Sequence, residues 1–414
     1  MDNIVIAGAS IAGLSAARQL RKSGFTGTVQ LVDEDPHGPY RRPEVSKGLL
    51  NGKADSDSVK VKWPDELGLA RITGARLEGL DLQSRELTAT VESGSTVIPF
   101  DGLIIATGVH ARPNPFTPLL HGVYTLRSLG DSRLMSEKLR GSTSVAIVGG
   151  GFIGLEVAAV ARAMGKRVTV LEASARPLGR VLGTAFSDHL SRIHRDRGVE
   201  LLCGVSVSAL VEGASGEVRG VALSDGRIVE ADTVLVAIGS APSVAWMASS
   251  GLDLTDGVRC DATCAVEGTS GVVAAGDVAS WWNPLYRRRM RVEHWTNAIE
   301  QGTFAARRLL DDHEEDGFSS APYFWSDQHG MRLQSIGTTI GHDRVDVLDE
   351  DGDRLLVAYS SDGRLTCVAG INAGTKVQSY RKMVLEGEDI STVRGDRLGA
   401  HPADIEAQVS TTTG

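Results

Sequence analysis

Residues 144–172 read SVAIVGGGFIGLEVAAVARAMGKRVTVLE. Val145, Ile147 and Val148 make a short apolar strand, and Gly149, Gly151 and Gly154 place a GxGxxG pattern at its end, with Gly150 inside it. A helix from Phe152, a second apolar strand over 167–171 and a closing acid, Glu172, complete the stretch. Each glycine is there for a physical reason. Gly149 makes the tight turn, Gly151 lets the backbone approach a pyrophosphate, and Gly154 lets the helix pack close to the sheet. The phosphates belong on the helix N-terminus, where unpaired N–H groups and the helix dipole favour an anion. Glu172, about 20 residues past the glycines, is placed to hydrogen-bond a ribose diol. Glycines alone are weak evidence, but strand, glycines, helix, strand and acid in order point to a dinucleotide site. A carboxylate there repels a 2′-phosphate and favours NADH over NADPH, a preference that Arg176 and Arg180 temper.

The pattern is written a second time at the N-terminus. Residues 3–7 form a strand and Gly8-Ala9-Ser10-Ile11-Ala12-Gly13 the turn. A helix follows over 14–22, then a strand over 29–32 that ends in Asp33, Glu34 and Asp35. The middle glycine is replaced by Ser10, whose Cβ and hydroxyl crowd the pyrophosphate position but also offer a hydrogen-bond donor. The repeat extends further: FDGLIIATG at 100–108 is echoed by ADTVLVAIG at 231–239. Two such units, the second nested within the first, imply two dinucleotides, most economically one prosthetic FAD and one exchangeable nicotinamide.

A length of 414 residues suffices for two or three domains with proper cores. A net charge of -9 argues against nucleic acid as a partner. No apolar run approaches the roughly 18 residues of a membrane span, and no basic and apolar leader precedes the first strand, so a cytoplasmic protein without membrane association is expected. Cys203, Cys260, Cys264 and Cys367 are few and scattered. The close pair Cys260 and Cys264 lacks further ligands, so structural thiols and no metal site are expected.

Between the first ribose acid and the first β segment lies HGPYRRPEVSKGLL, 37–50, stiffened by Pro39 and Pro43 and carrying three cations, Arg41, Arg42 and Lys47. As a bare sequence it is a solvated basic loop. It resembles the PYxRPxLSK segment of FAD-dependent ferredoxin reductases that serve cytochrome P450s and ring-hydroxylating dioxygenases, departing from it at Arg41, Glu44 and Val45. Ala106-Thr107-Gly108 resembles the turn with which this glutathione-reductase-like flavoprotein superfamily leaves its FAD domain, and Arg112-Pro113-Asn114-Pro115 reads as the crossing linker. Gly239-Ser240-Ala241-Pro242 is the return crossing, and the apolar strand over 270–276 ends at Asp277, which by resemblance holds the ribityl chain. Residues 293–302, EHWTNAIEQG, resemble the family's EHWxNAxxQG, and 323–328, YFWSDQ, its C-terminal motif.

The resemblance spans about residues 4–387. It implies an α/β fold of two nested Rossmann-like domains plus a C-terminal α+β domain: FAD-binding over 1–112 and 243–320, NAD-binding over 113–242, C-terminal over 321–398. The tail, 399–414, is rich in Ser and Thr and is expected to be disordered. The resemblance further implies that Gly8, Ser10, Gly13, Asp33, Glu34, Arg42, Lys47, Thr107, Gly108, Arg112, Asp277, His294 and Trp295 bind FAD, and that Gly149, Gly151, Gly154 and Glu172 bind NADH. Trp295 and Trp325 would lie against the flavin, and the helix beginning near Asn297 would stabilise its reduced form. Lys47 and Glu156 would meet near the hydride-accepting atom, where they position nicotinamide without acting as nucleophiles. From the residues alone, the apolar flanks of Glu156 suggest a buried acid in need of a cation, and Lys47 is the candidate. Strands are expected over 86–91, 332–336, 344–348, 354–359 and 365–370, and a helix over 375–386.

The run Arg287, Arg288, Arg289 and Arg291 is either a solvated face or a dock for an acidic iron–sulfur protein. From 34 to 60 there is no cysteine, so the thiol relay of the disulfide-reducing relatives is missing. The leading expectation is an NADH-dependent reductase of a [2Fe-2S] ferredoxin that feeds an oxygenase. Its alternatives are an NADH oxidase or quinone reductase, and a flavoprotein switch of the apoptosis-inducing type.

Overall fold

The computed structural model describes residues 1–311 and 316–393; the tail expected to be disordered, 399–414, lies outside them. The chain forms two compact units. The first comprises Met1–Val45, Ala54–Arg112 and Ser240–Ser320; the second comprises Ser46–Lys53, Pro113–Gly239 and the described residues from Ala321 onward. Thus the short segment Ser46–Lys53, inside the range expected to belong wholly to the first domain, packs with the second unit. The second Rossmann sheet and the C-terminal sheet also fall in that unit.

In the first unit the strands run Val272–Ala274, Gly102–Ile105, Asn3–Ala7, Thr28–Asp33, Ala70–Thr73, each pair parallel. In the second, Val199–Cys203, Arg167–Glu172, Ser144–Val148, Thr233–Val236 and Val123–Tyr124 are likewise parallel throughout. Both glycine-bearing strands are central, and every residue of Ser144–Val148 and of Thr233–Val236 is buried. Continuous burial explains their apolar runs after Ser144 and Thr233, since a parallel sheet covered on both faces has no solvent side to make polar.

The Ile11–Lys22 helix is alanine-rich on its buried face, and this lets a second helix, Trp295–Leu310, come very near. A Cβ on Gly302 would strike the carbonyl of Ala12, so glycine at that position sets the approach of the two helices. The antiparallel strand Glu86–Val91 has the bounds expected from its alternation.

A five-stranded antiparallel sheet, Tyr323–Gln328, Met331–Gly337, Arg364–Ile371, Arg354–Ser361 and Arg344–Asp351 in spatial order, follows. The expected single helix over 375–386 is instead two short ones, Lys376–Ser379 and Arg381–Glu386, interrupted at Tyr380, whose ψ of 0° leaves the helical region. Among the described residues no helix is long and apolar enough to cross a membrane.

Candidate functional site

The two glycine turns have nearly the same backbone. Gly8 has φ +109° and Gly149 φ +110°, and an added Cβ would strike the carbonyl of Ala106 in one copy and of Ala237 in the other. Only glycine relieves both the left-handed conformation and the contact. At the middle position Ser10 (φ -76°, ψ -167°) and Gly151 (φ -77°, ψ -179°) are both extended, so serine carries no backbone strain there. A Cβ on Gly151 would meet nothing within 4 Å, and the site is open to a ligand. Gly13 and Gly154 face the carbonyls of Gly8 and Gly149, which explains the third glycine by close packing.

Each strand-end acid turns back onto its glycine loop. Asp33 accepts from the N–H of Ala9 and, at 2.7 Å, from that of Asp35. Glu172 accepts from the N–H of Gly150 at 2.8 Å and of Ser174 at 2.7 Å. Burial pushes the Asp33 carboxyl above its ordinary range, while these N–H groups and Arg42 pull it down. Glu34 is exposed, and the first turn is closed by Asp33. Near Glu172, Arg176 is drawn to Asp188 at 2.6 Å, and Arg180 is exposed.

Helix N-termini differ in how their first N–H groups are met. The Leu129–Gly141 helix has a full capping box, Ser128 with Asp131. The helices Ile11–Lys22, Phe152–Ala163 and Trp295–Leu310 have no side-chain cap and no acid in the first turn. At the two helices that follow the glycine turns, the first N–H groups are therefore open to an anion.

Around the first turn, Arg42 Nε donates to Ser10 Oγ at 3.4 Å, and its guanidinium lies over the Tyr40 ring. Thr107 Oγ1 donates to the Ser243 carbonyl at 3.0 Å, Gly108 takes a left-handed φ of +67°, and Arg112 is exposed. Asp277 is half-buried in a short 3-10 turn, which is held where the Gly276 N–H donates to Gln301 Oε1 at 2.9 Å. His294 precedes the Trp295–Leu310 helix, and burial lowers its imidazole to about 4. Asn297 Oδ1 in the same helix is buried without a hydrogen-bond partner among the described residues, so an acceptor waits there for a donor.

In the second unit Lys47 Nζ lies 2.8 Å from Glu156 Oε1, with the two side chains 15% and 6% exposed. Glu156 is carried by the buried face of the Phe152–Ala163 helix. A buried carboxylate requires donors on its remaining lone pairs. They come from Ser46, which donates to Oε2, and from Ser326, whose Oγ donates to Oε1 at 2.6 Å. The sequence reading found the ion pair but missed both serines. Ser326 and Gln328, alternate polar residues on one face of a half-buried strand, were the available signal. On the opposite face of that strand Trp325 stacks on Tyr323, their centroids 6.1 Å apart.

The arginine run divides. Arg289 pairs with Glu267 at 2.7 Å and donates to the carbonyls of Cys260 and Ser280, while Arg291 pairs with Asp256 at 2.8 Å and Glu293 at 2.7 Å. Arg287 is exposed and Arg288 half-buried. Cys260 and Cys264 are buried, and burial pushes both thiols up, Cys264 to about 12. Such burial is the setting of structural thiols.

Residues 2–302 match the family described as pyridine nucleotide-disulphide oxidoreductase, and residues 323–396 match that described as reductase C-terminal. A probable ferredoxin reductase, CtmF, of Castellaniella defragrans is 34% identical, the alignment covering 94% of this chain and 95% of that protein. The ferredoxin--NAD(+) reductase component of the p-cumate 2,3-dioxygenase system of Pseudomonas putida is 37% identical, with 95% and 96% covered. The solved covalent putidaredoxin reductase–putidaredoxin complex superposes with a TM-score of 0.89 at 28% identity, covering 98% of each chain.

Proposed function

The chain belongs to the pyridine nucleotide-disulphide oxidoreductase family, and from this we propose that it is an FAD-dependent NADH:ferredoxin oxidoreductase. Its acceptor is a [2Fe-2S] ferredoxin that serves a cytochrome P450 or a ring-hydroxylating dioxygenase. The observation that carries this reading is the duplication: two glycine turns of the same geometry, each opening an uncapped helix and each closed by a strand-end acid. The residues present fit FAD in the first unit, where the buried acceptor of Asn297 and the uncapped Ile11–Lys22 helix call for a donor and an anion.

Bound FAD supplies the conversion of a two-electron hydride into single electrons, which neither nicotinamide nor an iron–sulfur cluster performs. The chain's own residues bind and orient. Gly8, Ser10, Gly13 and Arg42 receive the diphosphate, Asp33 the adenosine ribose and Asp277 the ribityl hydroxyls. Thr107, Gly108, Arg112, His294 and Trp295 complete the FAD site. Gly149, Gly151 and Gly154 hold the nicotinamide dinucleotide. Glu172 selects NADH, a preference supported by the engagement of Arg176 with Asp188. Lys47, paired with Glu156, orients the nicotinamide and places a cation at the hydride site. No cysteine lies between residues 34 and 60, so a thiol relay has no place here. The exposed Arg287 and the neighbouring Arg288 steer the ferredoxin. The protein works in the cytoplasm, a location supported by its four unpaired thiols.

Stopped-flow reduction by NADH and by NADPH, followed by mixing with oxidised [2Fe-2S] ferredoxin or with air, tests the reading. Rapid bleaching by NADH and rapid electron loss to ferredoxin are expected. Rapid loss to air alone would make the protein an oxidase.

A further inference from the structure

Beyond Ser326 the donors to Glu156 continue. Ser326 spends its proton on the Glu156 carboxylate and accepts from Gln328 Nε2 at 3.0 Å. With the Gln328 amide nitrogen so directed, its Oε1 faces His194 Nε2 at 2.8 Å, and that nitrogen must donate. His194 Nδ1 is then the acceptor, and it lies 3.1 Å from His329 Nε2. Every hydrogen bond from His329 to Glu156 therefore points the same way, and this requires a neutral His194, whose Nδ1 accepts while its Nε2 donates. Burial lowers His194 to about 4 and His329 to about 3, and Arg197 presses both in the same direction, with Arg162 adding to it at His329. Ser326, Gln328 and His194 are buried, whereas His329, in the hairpin turn with φ +52°, is half-buried.

We propose that Ser326, Gln328, His194 and His329 are positioning residues for hydride transfer, a hydrogen-bond chain of single polarity that holds the Glu156 carboxylate, and through it Lys47, in one orientation. The inference rests on the reading of Lys47 and Glu156 as the pair at the hydride site. Its physical basis is that Glu156 Oε1 serves Lys47 and Ser326 together. If the serine hydroxyl turned away, Oε1 would lose the donor that fixes its direction, and Ser46 on Oε2 would be left as the one hydroxyl holding the carboxylate against Lys47. Chains of this kind polarise one another, so the distal imidazoles contribute to the orientation of the first hydroxyl.

Three measurements on the holoenzyme test it. Ser326→Ala is expected to slow flavin reduction by NADH about tenfold with little change in NADH Kd, and Ser326→Thr, which keeps the hydroxyl, to restore it. His194→Phe, which fills the same space without hydrogen bonds, is expected to slow it about threefold, and the double variant no more than Ser326→Ala alone, since the chain is already cut. Multiplying losses would reduce the chain to separate structural contacts and overturn the proposal. The third readout is independent of turnover: ¹⁵N spectra of the histidine rings without NADH. Glu156→Gln ends the fixed polarity because an amide donates as well as accepts, so the ring-nitrogen signals of His194 and His329 are expected to move. Unchanged signals would overturn the chain while leaving the Lys47–Glu156 reading intact. Unchanged flavin reduction in Glu156→Gln would instead remove that reading, and the proposal with it.

Discussion

The first and second glycine turns differ at one of their three defining positions, and the difference separates two demands that the GxGxxG pattern merges. Gly8 and Gly149 are required by the backbone, through a left-handed φ and a facing carbonyl. Gly13 and Gly154 are required by packing against that same turn. The middle position is required by neither. Ser10 and Gly151 share an extended conformation, and the space beyond Gly151 is open, so glycine there serves the ligand alone. In the first copy the added hydroxyl is met by Arg42 at 3.4 Å.

Gly8→Ala and Gly149→Ala break the comparison most severely. Each forces a Cβ into a carbonyl at positive φ and is expected to cost about 3 kcal/mol, read as a fall in Tm. The losses should be copy-specific, with flavin content falling in Gly8→Ala and NADH binding in Gly149→Ala. The reverse pattern would exchange the assignments of the two units.

A smaller effect is expected at the acids. Glu172→Ala should narrow the NADH over NADPH preference about tenfold, or ~1.4 kcal/mol, in kcat/KM. Asp33→Ala should leave that preference alone and weaken FAD retention. An unchanged preference in Glu172→Ala would remove its ribose role.

The arginine run belongs to the first unit and sharpens the contrast with the second. Arg287→Glu with Arg288→Glu should raise the ferredoxin KM about fivefold at low salt and leave ferricyanide reduction intact, since steering charges act on encounter. Equal losses with both acceptors would end the docking role. Arg289→Glu should act differently, lowering Tm through its lost bonds to Glu267 and two carbonyls.

The mildest change is Ser10→Gly. With no strain to relieve, it is expected to alter FAD affinity by less than about threefold. A tenfold loss would make the Ser10 hydroxyl a ligand in its own right.

Much of this was legible in the sequence, for reasons that can be named. The glycine turns and the closing acids depend on local conformation and on spacing along one βαβ unit, so the chain writes them within about 30 residues. The last four strands of the C-terminal sheet were likewise visible from alternation, each within a few residues of its observed bounds. Other features were hidden. The break at Tyr380 interrupts a segment whose composition favours a continuous helix. The four arginines read as one charged patch, yet Glu267 on Arg289 lies 22 residues away and Asp256 on Arg291 lies 35, with Glu293 alone close in sequence. The serines on Glu156 are 110 and 170 residues distant.

The sequence by itself determined that two dinucleotide units are present, that each opens on a glycine turn and closes on an acid, and that Glu156 is a buried acid in need of a cation. These follow from short-range rules: which residues tolerate positive φ, which let a helix approach a sheet, and which flanks bury a side chain. The tertiary structure alone decided which charges are already paired, which helix ends are left open, and which donors converge on one carboxylate. Ion pairs and hydrogen bonds need atoms within a few ångströms, and only the folded chain brings residues 46, 156, 194 and 326 that near.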